Sequence, residues 1–459
     1  MSESSAPVTN VDVANLLDER PISGLQIRVF ILCALVALLD GIDSQGIGVA
    51  GPLIAADLNL SMGAFAPAFS AGLFGATIGA LTFGPLADRF GRKPMLVFST
   101  ALFGVFTCLT ALADSFSTLV AYRFVAGLGL GGATPCFITM AAEYAPARRR
   151  AMLVSLLWAG FPAGNAVGGF MTSYVVNHFP WQMVFYVGGV PTLIVSVLLI
   201  FTMPESLRFL ASQGKTGSAA ERLAHALDPA LPKGRIRLVA AGSIQKKNNV
   251  PVRDLFTQGR AAGTILLWSI LFLAFATTTV IVLQTPTLLR QSGIPLSTTG
   301  ILVGIYSVFA VIGMAIAGKL VEKFGPGAAL APAFAFGAVL LLGLGYFASS
   351  EIAAGIIMGL LGFTVPLGAA GAIALTAMFY PTAMRSSGVG WAMGLGRFGQ
   401  VCSPLIVGFL LTLGWPPARI LAVMAIGPLL AGLCVLLRSL LVRSITPVPD
   451  RRVAGEASA

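Results

Sequence analysis

Runs of 18 or more apolar residues recur along this chain, separated by short segments rich in Gly, Pro, Arg and Lys. A helix of that length crosses the hydrocarbon layer of a bilayer. Inside that layer every backbone donor and acceptor must be satisfied without water, so only helices or closed barrels can span it. The ~10-residue alternating segments of a membrane barrel are missing. An all-α membrane protein follows. Composition agrees: 56% of the residues are hydrophobic and only 10% charged, against roughly a quarter charged in soluble chains.

Hydropathy and punctuation place spans at 27–52, 64–86, 95–113, 118–141, 151–174, 181–203, 262–285, 298–319, 327–348, 352–378, 386–412 and 416–440. Twelve spans put both tails on one side. The expected organisation is a tail (1–26), a six-helix bundle (27–203), a polar central loop (204–261), a second six-helix bundle (262–440) and a second tail (441–459). The first tail is polar and acidic, so it reads as a cytosolic segment without a cleavable signal, disordered at first and then an amphipathic turn.

Lys and Arg set the orientation. Arg89, Arg92, Lys93, Arg148, Arg149, Arg150, ten basic residues between 204 and 261, Lys319, Lys323, Arg385, Arg438, Arg443, Arg451 and Arg452 fall on the side of the tails. The opposite loops hold only Arg290. The tails are therefore expected in the cytoplasm. The net charge of +11 needs no nucleic acid: topology and attraction to anionic lipid account for it. Five cysteines lie within the apolar spans without pairing or metal spacing and read as buried thiols. No metal cluster, nucleophile–base pair or phosphate loop points to an enzyme.

The two halves repeat. "GPLADRFGRKP" after span 2 and "GKLVEKFGPG" after span 8 align Gly84, Asp88, Arg89 and Gly91 with Gly318, Glu322, Lys323 and Gly325 at a constant offset of 234. "EYAPARRRA" and "MFYPTAMRSS" align Pro146 and Arg150 with Pro381 and Arg385 at an offset of 235. Duplicated halves place a binding site at their interface, near the bilayer midplane.

"GPLADRFGRKP" resembles the loop signature of the major facilitator superfamily, and "RFVAGLGLGGATP" from Arg123 resembles its helix 4 pattern. Within that superfamily "LLDGIDSQGIGVAGP", "EYAPARRRAMLVSLLWAGFPAGNAVGG", "MPESLRFLA" and "YPTAMRSSGVGWAMGLGRFG" resemble the bacterial aromatic acid:proton symporters. The resemblance covers nearly the whole chain and implies a monomeric, multi-pass transporter of the bacterial inner membrane. It also implies a gate on the cytoplasmic side, built from Gly84, Asp88, Arg89, Gly91, Arg92, Glu143 and Arg150, with Glu322 and Arg385 in the second half. Gly84 and Gly91 are expected where helix 2 turns back into helix 3. Glu322 stands where many relatives carry Asp, and the trailing basic pair is missing, which weakens the second gate loop.

Where the halves differ, chemistry is expected. Shifting Asp40 and Asp43 by 235 lands on Phe275 and Thr278, and shifting Arg397 back lands on Pro162. The intramembrane acids thus belong to the first half and the arginine to the second. Asp40 lies twelve residues from Arg28, and Arg397 twelve from Arg385, so both sit about 18 Å into the membrane. Asp40 and Asp43 share a helix face. Charged groups at this depth are costly and mark transport pathways.

These residues suit an anion symporter with no cofactor beyond the coupled proton. Arg397 would hold a substrate carboxylate through paired, charge-assisted bonds, and Asp40 and Asp43 would carry the proton. Trp158, Phe161, Asn165, Gln284, Tyr306, Trp391 and Gln400 are candidates for the walls of an aromatic site. Two readings stay open for the charges: Asp40 or Asp43 as a structural partner of Arg123 or Arg397, and Arg123 as a structural, coupling or ligand residue. The leading expectation is proton-coupled import of a benzoate or hydroxybenzoate. The alternative is another organic anion, of the muconate or dicarboxylate type, or export.

Overall fold

The computed structural model describes residues 9–18, 22–212, 218–228, 231, 236–239, 252–381 and 384–442. Arg443, Arg451 and Arg452 of the second tail, and Lys215, Lys233, Arg235, Lys246 and Lys247 of the central loop, lie outside them.

Twelve helices or helix pairs are long and apolar enough to cross a membrane. The first six are α2 (Gly24–Asp57), α3 (Met62–Phe90), α4 (Arg92–Thr110), α5 (Phe116–Tyr144), α6 with α7 (Arg150–Trp158, Gly160–His178) and α8 (Gln182–Thr202). The second six are α11 with α12 (Ala261–Thr279, Thr285–Gln291), α13 (Leu296–Phe324), α14 (Pro326–Tyr346), α15 (Glu351–Phe379), α16 (Arg385–Thr412) and α17 with α18 (Pro417–Met424, Ile426–Val442). Each six pack on one another as a bundle.

Local chemistry sets the ends of these helices. Ser23 and Gln26 form a capping box on α2, Ser115 and Thr118 one on α5, and Ser61 and Ser350 cap α3 and α15; each satisfies amides that hydrocarbon would leave orphaned. Between α11 and α12, Val280–Gln284 widens to a π turn, an irregularity that sequence periodicity does not reveal. Such turns recur at functional sites.

The repeat is visible in the backbone. Gly91 (φ 107°) and Gly325 (φ 79°) end α3 and α13 at equivalent positions, a conformation that side chains disfavour. Gly84 is not in that turn. It lies inside α3, and a Cβ built on it meets no atom within 4 Å.

The first tail departs from expectation. Thr9–Asp12 (β1) pairs in parallel with Ile236–Val239 (β2) of the central loop, and Val13–Asp18 (α1) follows it. Val11, Val13, Leu16 and Leu17 are buried in one cluster with Ile236, Leu207 and Leu227, the last two from α9 (Leu207–Ser212) and α10 (Ser218–Leu227). Tail and loop thus form a small cap on the first bundle, and Asp18 accepts from Ala147 N at 2.5 Å. Isolated, neither segment has enough apolar surface to order itself.

The bundles meet unevenly. On the face away from the termini, Ser173 Oγ donates to Ser297 O (2.5 Å), Ser70 Oγ to Val401 O (2.9 Å), and Gly63 and Ala66 lie against Gly408. These contacts continue to mid-membrane, where Arg397 Nη1 donates to Ala76 O at 3.5 Å. Beyond that level, toward the face of the termini and the basic loops, the same stripe of α16 carries Gly390 and Gly394. A Cβ on either would meet no atom within 4 Å. The seam is closed on the opposite face and parts on the basic face.

Close packing of α2 on α7 needs glycine at Gly164, where a Cβ would overlap Leu38 O. Gly164→Ala is expected to destabilise the protein by about 1–3 kcal/mol, seen as a lower thermal midpoint in detergent. Gly394→Ala, in open space, should leave the midpoint unchanged.

Candidate functional site

The two acids of α2 have different partners. Asp43 is 4% exposed and wholly engaged. Its Oδ1 accepts from Thr107 Oγ1 of α4 (3.0 Å) and Arg123 Nη1 of α5 (3.2 Å), and its Oδ2 accepts from Arg123 Nη2 (3.0 Å). The planar guanidinium matches the carboxylate edge in this two-bond geometry. Arg123 also lies over the Phe185 ring, 5.9 Å from its centroid. Of the readings left open for Arg123, the structure places it in a buried ion pair inside the first bundle.

Asp40 is 8% exposed, and among the described residues its one side-chain hydrogen-bond partner is Ser44 Oγ at a long 3.4 Å. It interacts electrostatically with both Asp43 and Arg397. Among the described residues neither Asp40 nor Arg397 makes an ion pair, and Arg397 has only the weak contact to Ala76 O. An acid of one bundle and a base of the other thus lie at mid-membrane within Coulombic reach but unjoined.

Around them stand several of the expected wall residues. Gly41 lets α7 approach so closely that a Cβ on it would lie 2.6 Å from Asn165 N and would overlap Phe161 O. Asn165 is buried with an unpartnered Oδ1, and Phe161, one turn away, is half-buried. Gln284 closes the π turn and is buried with an unpartnered Nε2. The buried Tyr306 Oη has no hydrogen-bond partner among the described residues, and Thr278 Oγ1 donates to Ala274 O at 2.9 Å. Phe275 and Thr278 are the repeat equivalents of Asp40 and Asp43; Phe275 packs on Gly396, next to Arg397.

Three candidates sit elsewhere or contribute less. Trp391 is 51% exposed, seven residues before the exposed Phe398 on one outward stripe of α16, and it stacks on Trp268 at 6.4 Å. It faces away from the seam. Trp158 is half-buried at the end of α6. Gln400 is half-buried, with its backbone carbonyl accepting from Ser403 Oγ at 3.2 Å.

The gate of the first bundle is a connected network. Arg92 pairs with Asp88 (2.8 Å) and Glu143 (3.5 Å). Glu205, to which the sequence reading gave no role, accepts from the N–H groups of Arg92 (3.0 Å), Lys93 (3.2 Å) and Ser206 (2.8 Å). Its carboxylate caps the positive end of α4. Tyr144 Oη donates to Glu205 O at 2.6 Å, and Ser206 Oγ donates to Glu143. Arg150 Nη2 donates to Ala145 O at 3.3 Å, while Arg89 is exposed over Phe90. In the second bundle Glu322 and Arg385 are exposed, and among the described residues neither has an ion-pair partner. Glu205 lies in "MPESLRFLA", and Gln45, directly after Asp43 and Ser44 on α2, is a further buried amide.

Two six-helix bundles with a mid-membrane seam, matching loops and unpaired opposite charges across the seam define a membrane transporter. The family model of the Major Facilitator Superfamily matches residues 33–364 and 266–458, and the chain belongs to that superfamily. Among its relatives are the 4-hydroxybenzoate transporter PcaK of Pseudomonas aeruginosa (32% identity over 96% of this chain and 98% of the relative) and the gallate transporter of Pseudomonas putida (33% over 88% and 90%). In fold it resembles a bacterial homolog of the human lysosomal transporter Spinster in an inward-facing, unoccupied conformation. There the TM-score is 0.72, with 16% identity over 93% of this chain and 99% of that one.

Removing one member of the Asp43–Arg123 pair leaves a buried charge alone. Asp43→Asn is expected to destabilise the solubilised protein by about 3–5 kcal/mol. Asp43→Asn combined with Arg123→Gln should recover much of that loss. Equal melting of the single variant and the wild type would contradict a structural pair.

Proposed function

We propose that the protein imports an aromatic carboxylate of the benzoate or hydroxybenzoate type together with protons, by alternating access, as a monomer in the bacterial inner membrane. The observation that carries this reading is the unjoined pair of Asp40 and Arg397, one from each bundle at mid-membrane. The names of the relatives support the substrate class. The basic loops support a cytoplasmic position for the termini, which makes the present conformation inward-facing.

In this mechanism Arg397 holds the substrate carboxylate, and Asp40 takes the coupled proton. A charged Asp40 and a substrate carboxylate compete for one guanidinium and repel each other. At 4 Å and an effective dielectric of 20, one such charge–charge contact is worth about 4 kcal/mol, roughly three orders of magnitude in affinity. Protonation of Asp40 removes that repulsion, so proton and acid load together. Their release on the inner side leaves Asp40 and Arg397 free to attract each other across the seam, which favours return of the empty carrier. Asp43, held by Arg123 and Thr107, keeps α2 in place and contributes negative potential to the proton site. Phe161, Tyr306 and the buried amides line the path of the ring. The gate network around Arg92 and Glu205 holds the first bundle together as the inner side opens and closes.

Asp40→Asn mimics the protonated acid permanently. It is expected to retain exchange of labelled 4-hydroxybenzoate across proteoliposomes at a pH-independent rate. Uphill accumulation driven by a proton gradient should be abolished. Robust pH-driven accumulation by this variant, or saturable uptake of a neutral sugar by the wild type, would overturn the reading.

A further inference from the structure

We propose that Gln45 reads a hydroxyl group on the ring of the transported acid, so that the protein selects hydroxylated aromatic carboxylates over bare benzoate; this rests on the aromatic-acid reading of the same site. Gln45 is wholly buried, at 0% exposure, and neither Oε1 nor Nε2 has a hydrogen-bond partner among the described residues. Because both atoms are orphaned, the result does not depend on which way the amide is turned. Native proteins seldom leave a buried amide unpaired, and each exception has a physical reason. The other polar groups of α2 have partners: Gln26 Nε2 bonds to Tyr144 O, Ser44 to Asp40, and Asp43 to Thr107 and Arg123. A leucine would fill the place of Gln45 without this penalty.

Position supplies the reason. Gln45 lies five residues beyond Asp40 on α2, about 7.5 Å closer to the opposite face. Its Cβ is 3.1 Å from a Cβ built on Gly168 of α7, and Asn165, with its orphaned Oδ1, is one turn back on that helix. Three residues further along α2, a Cβ on Gly48 would lie 3.2 Å from Val282 O and 3.3 Å from Leu283 Cα. Gln284, with its orphaned Nε2, follows directly in the π turn. Gln45 of α2, Asn165 on the stretch of α7 packed beside it, and Gln284, next to the residues that pack on Gly48, are thus unsatisfied amides along the contact of α2 with α7 and the second bundle, on the outer side of the Asp40–Arg397 level. An acid held at Arg397 by its carboxylate extends its ring into this seam as the bundles open on the opposite face.

The orphaned atoms include acceptors (Gln45 Oε1, Asn165 Oδ1) as well as donors (Gln45 Nε2, Gln284 Nε2). A ring hydroxyl both donates and accepts, and it can serve both kinds. The second carboxylate of a dicarboxylate only accepts, so it would leave the acceptors unpaired. Sites built to hydrogen-bond a substrate hydroxyl discriminate strongly against the analogue lacking it, because their own polar groups stay unpaired.

Initial uptake rates of labelled 4-hydroxybenzoate and benzoate, measured at low concentration in proteoliposomes under one proton gradient, test the proposal. The wild type is expected to favour the hydroxylated acid by at least about 100-fold. Gln45→Leu should lower that ratio by about 10- to 100-fold, and Gln284→Leu should move it in the same direction. A wild-type ratio near one, or a ratio unchanged in Gln45→Leu, would overturn the role of Gln45 while leaving aromatic-acid transport standing. A fall of both rates by the same factor would make Gln45 a packing residue and overturn it as well. Uptake of neither acid would remove the underlying reading and the inference with it.

Discussion

The two-bond contact between Asp43 and Arg123, completed by Thr107, settles what the rest of the site can be. It joins α2, α4 and α5 within the first bundle and uses both oxygens of Asp43. Breaking a buried ion pair strands a charge at a cost of several kcal/mol, so Arg123 is committed to Asp43. That leaves Asp40, one turn back on the same helix, with Ser44 alone and with Arg397 across the seam. One acid is tied into the scaffold, and the other, in the proposed mechanism, takes the coupled proton. Two like acids three residues apart thereby acquire different roles from their neighbours alone.

The same division runs through the repeat. Both bundles share the glycine turns at Gly91 and Gly325, but the network around Arg92, Glu143 and Glu205 has no counterpart at Glu322, Lys323 and Arg385 among the described residues. The first bundle is tied at its basic end and further covered by the cap of β1, β2 and α1. The second carries the π turn, Arg397 without an ion pair among the described residues, and the buried Tyr306 hydroxyl.

Much of this was legible in the sequence because lipid imposes strict rules. Backbone satisfaction in hydrocarbon forces long helices, and loop charges follow topology, so the twelve spans read directly from hydropathy. The offset between the halves pointed to Asp40, Asp43 and Arg397 as the asymmetric charges, since ionisable residues at that depth are few. Partner choice was not legible. Whether Arg123 meets Asp43 or Asp40 depends on helix rotation and crossing, which one chain's residue spacing leaves open. Trp391 shows the same limit: its depth suited a pocket wall, but its stripe on α16 faces outward with Phe398. Glu205 and the tail cap depend on contacts between segments far apart in sequence, and local propensity carries no trace of them.

The division of labour between the two acids is tested most directly by watching protons and substrate together. Proteoliposomes in weakly buffered medium with an external pH indicator would be given 4-hydroxybenzoate. Wild-type protein, and the paired Asp43→Asn with Arg123→Gln variant where it folds, should alkalinise the medium as the acid enters; Asp40→Asn, in vesicles preloaded with the acid, should exchange it without moving the indicator. Substrate-dependent alkalinisation by Asp40→Asn, or its loss only when Asp43 is replaced, would contradict Asp40 as the proton carrier.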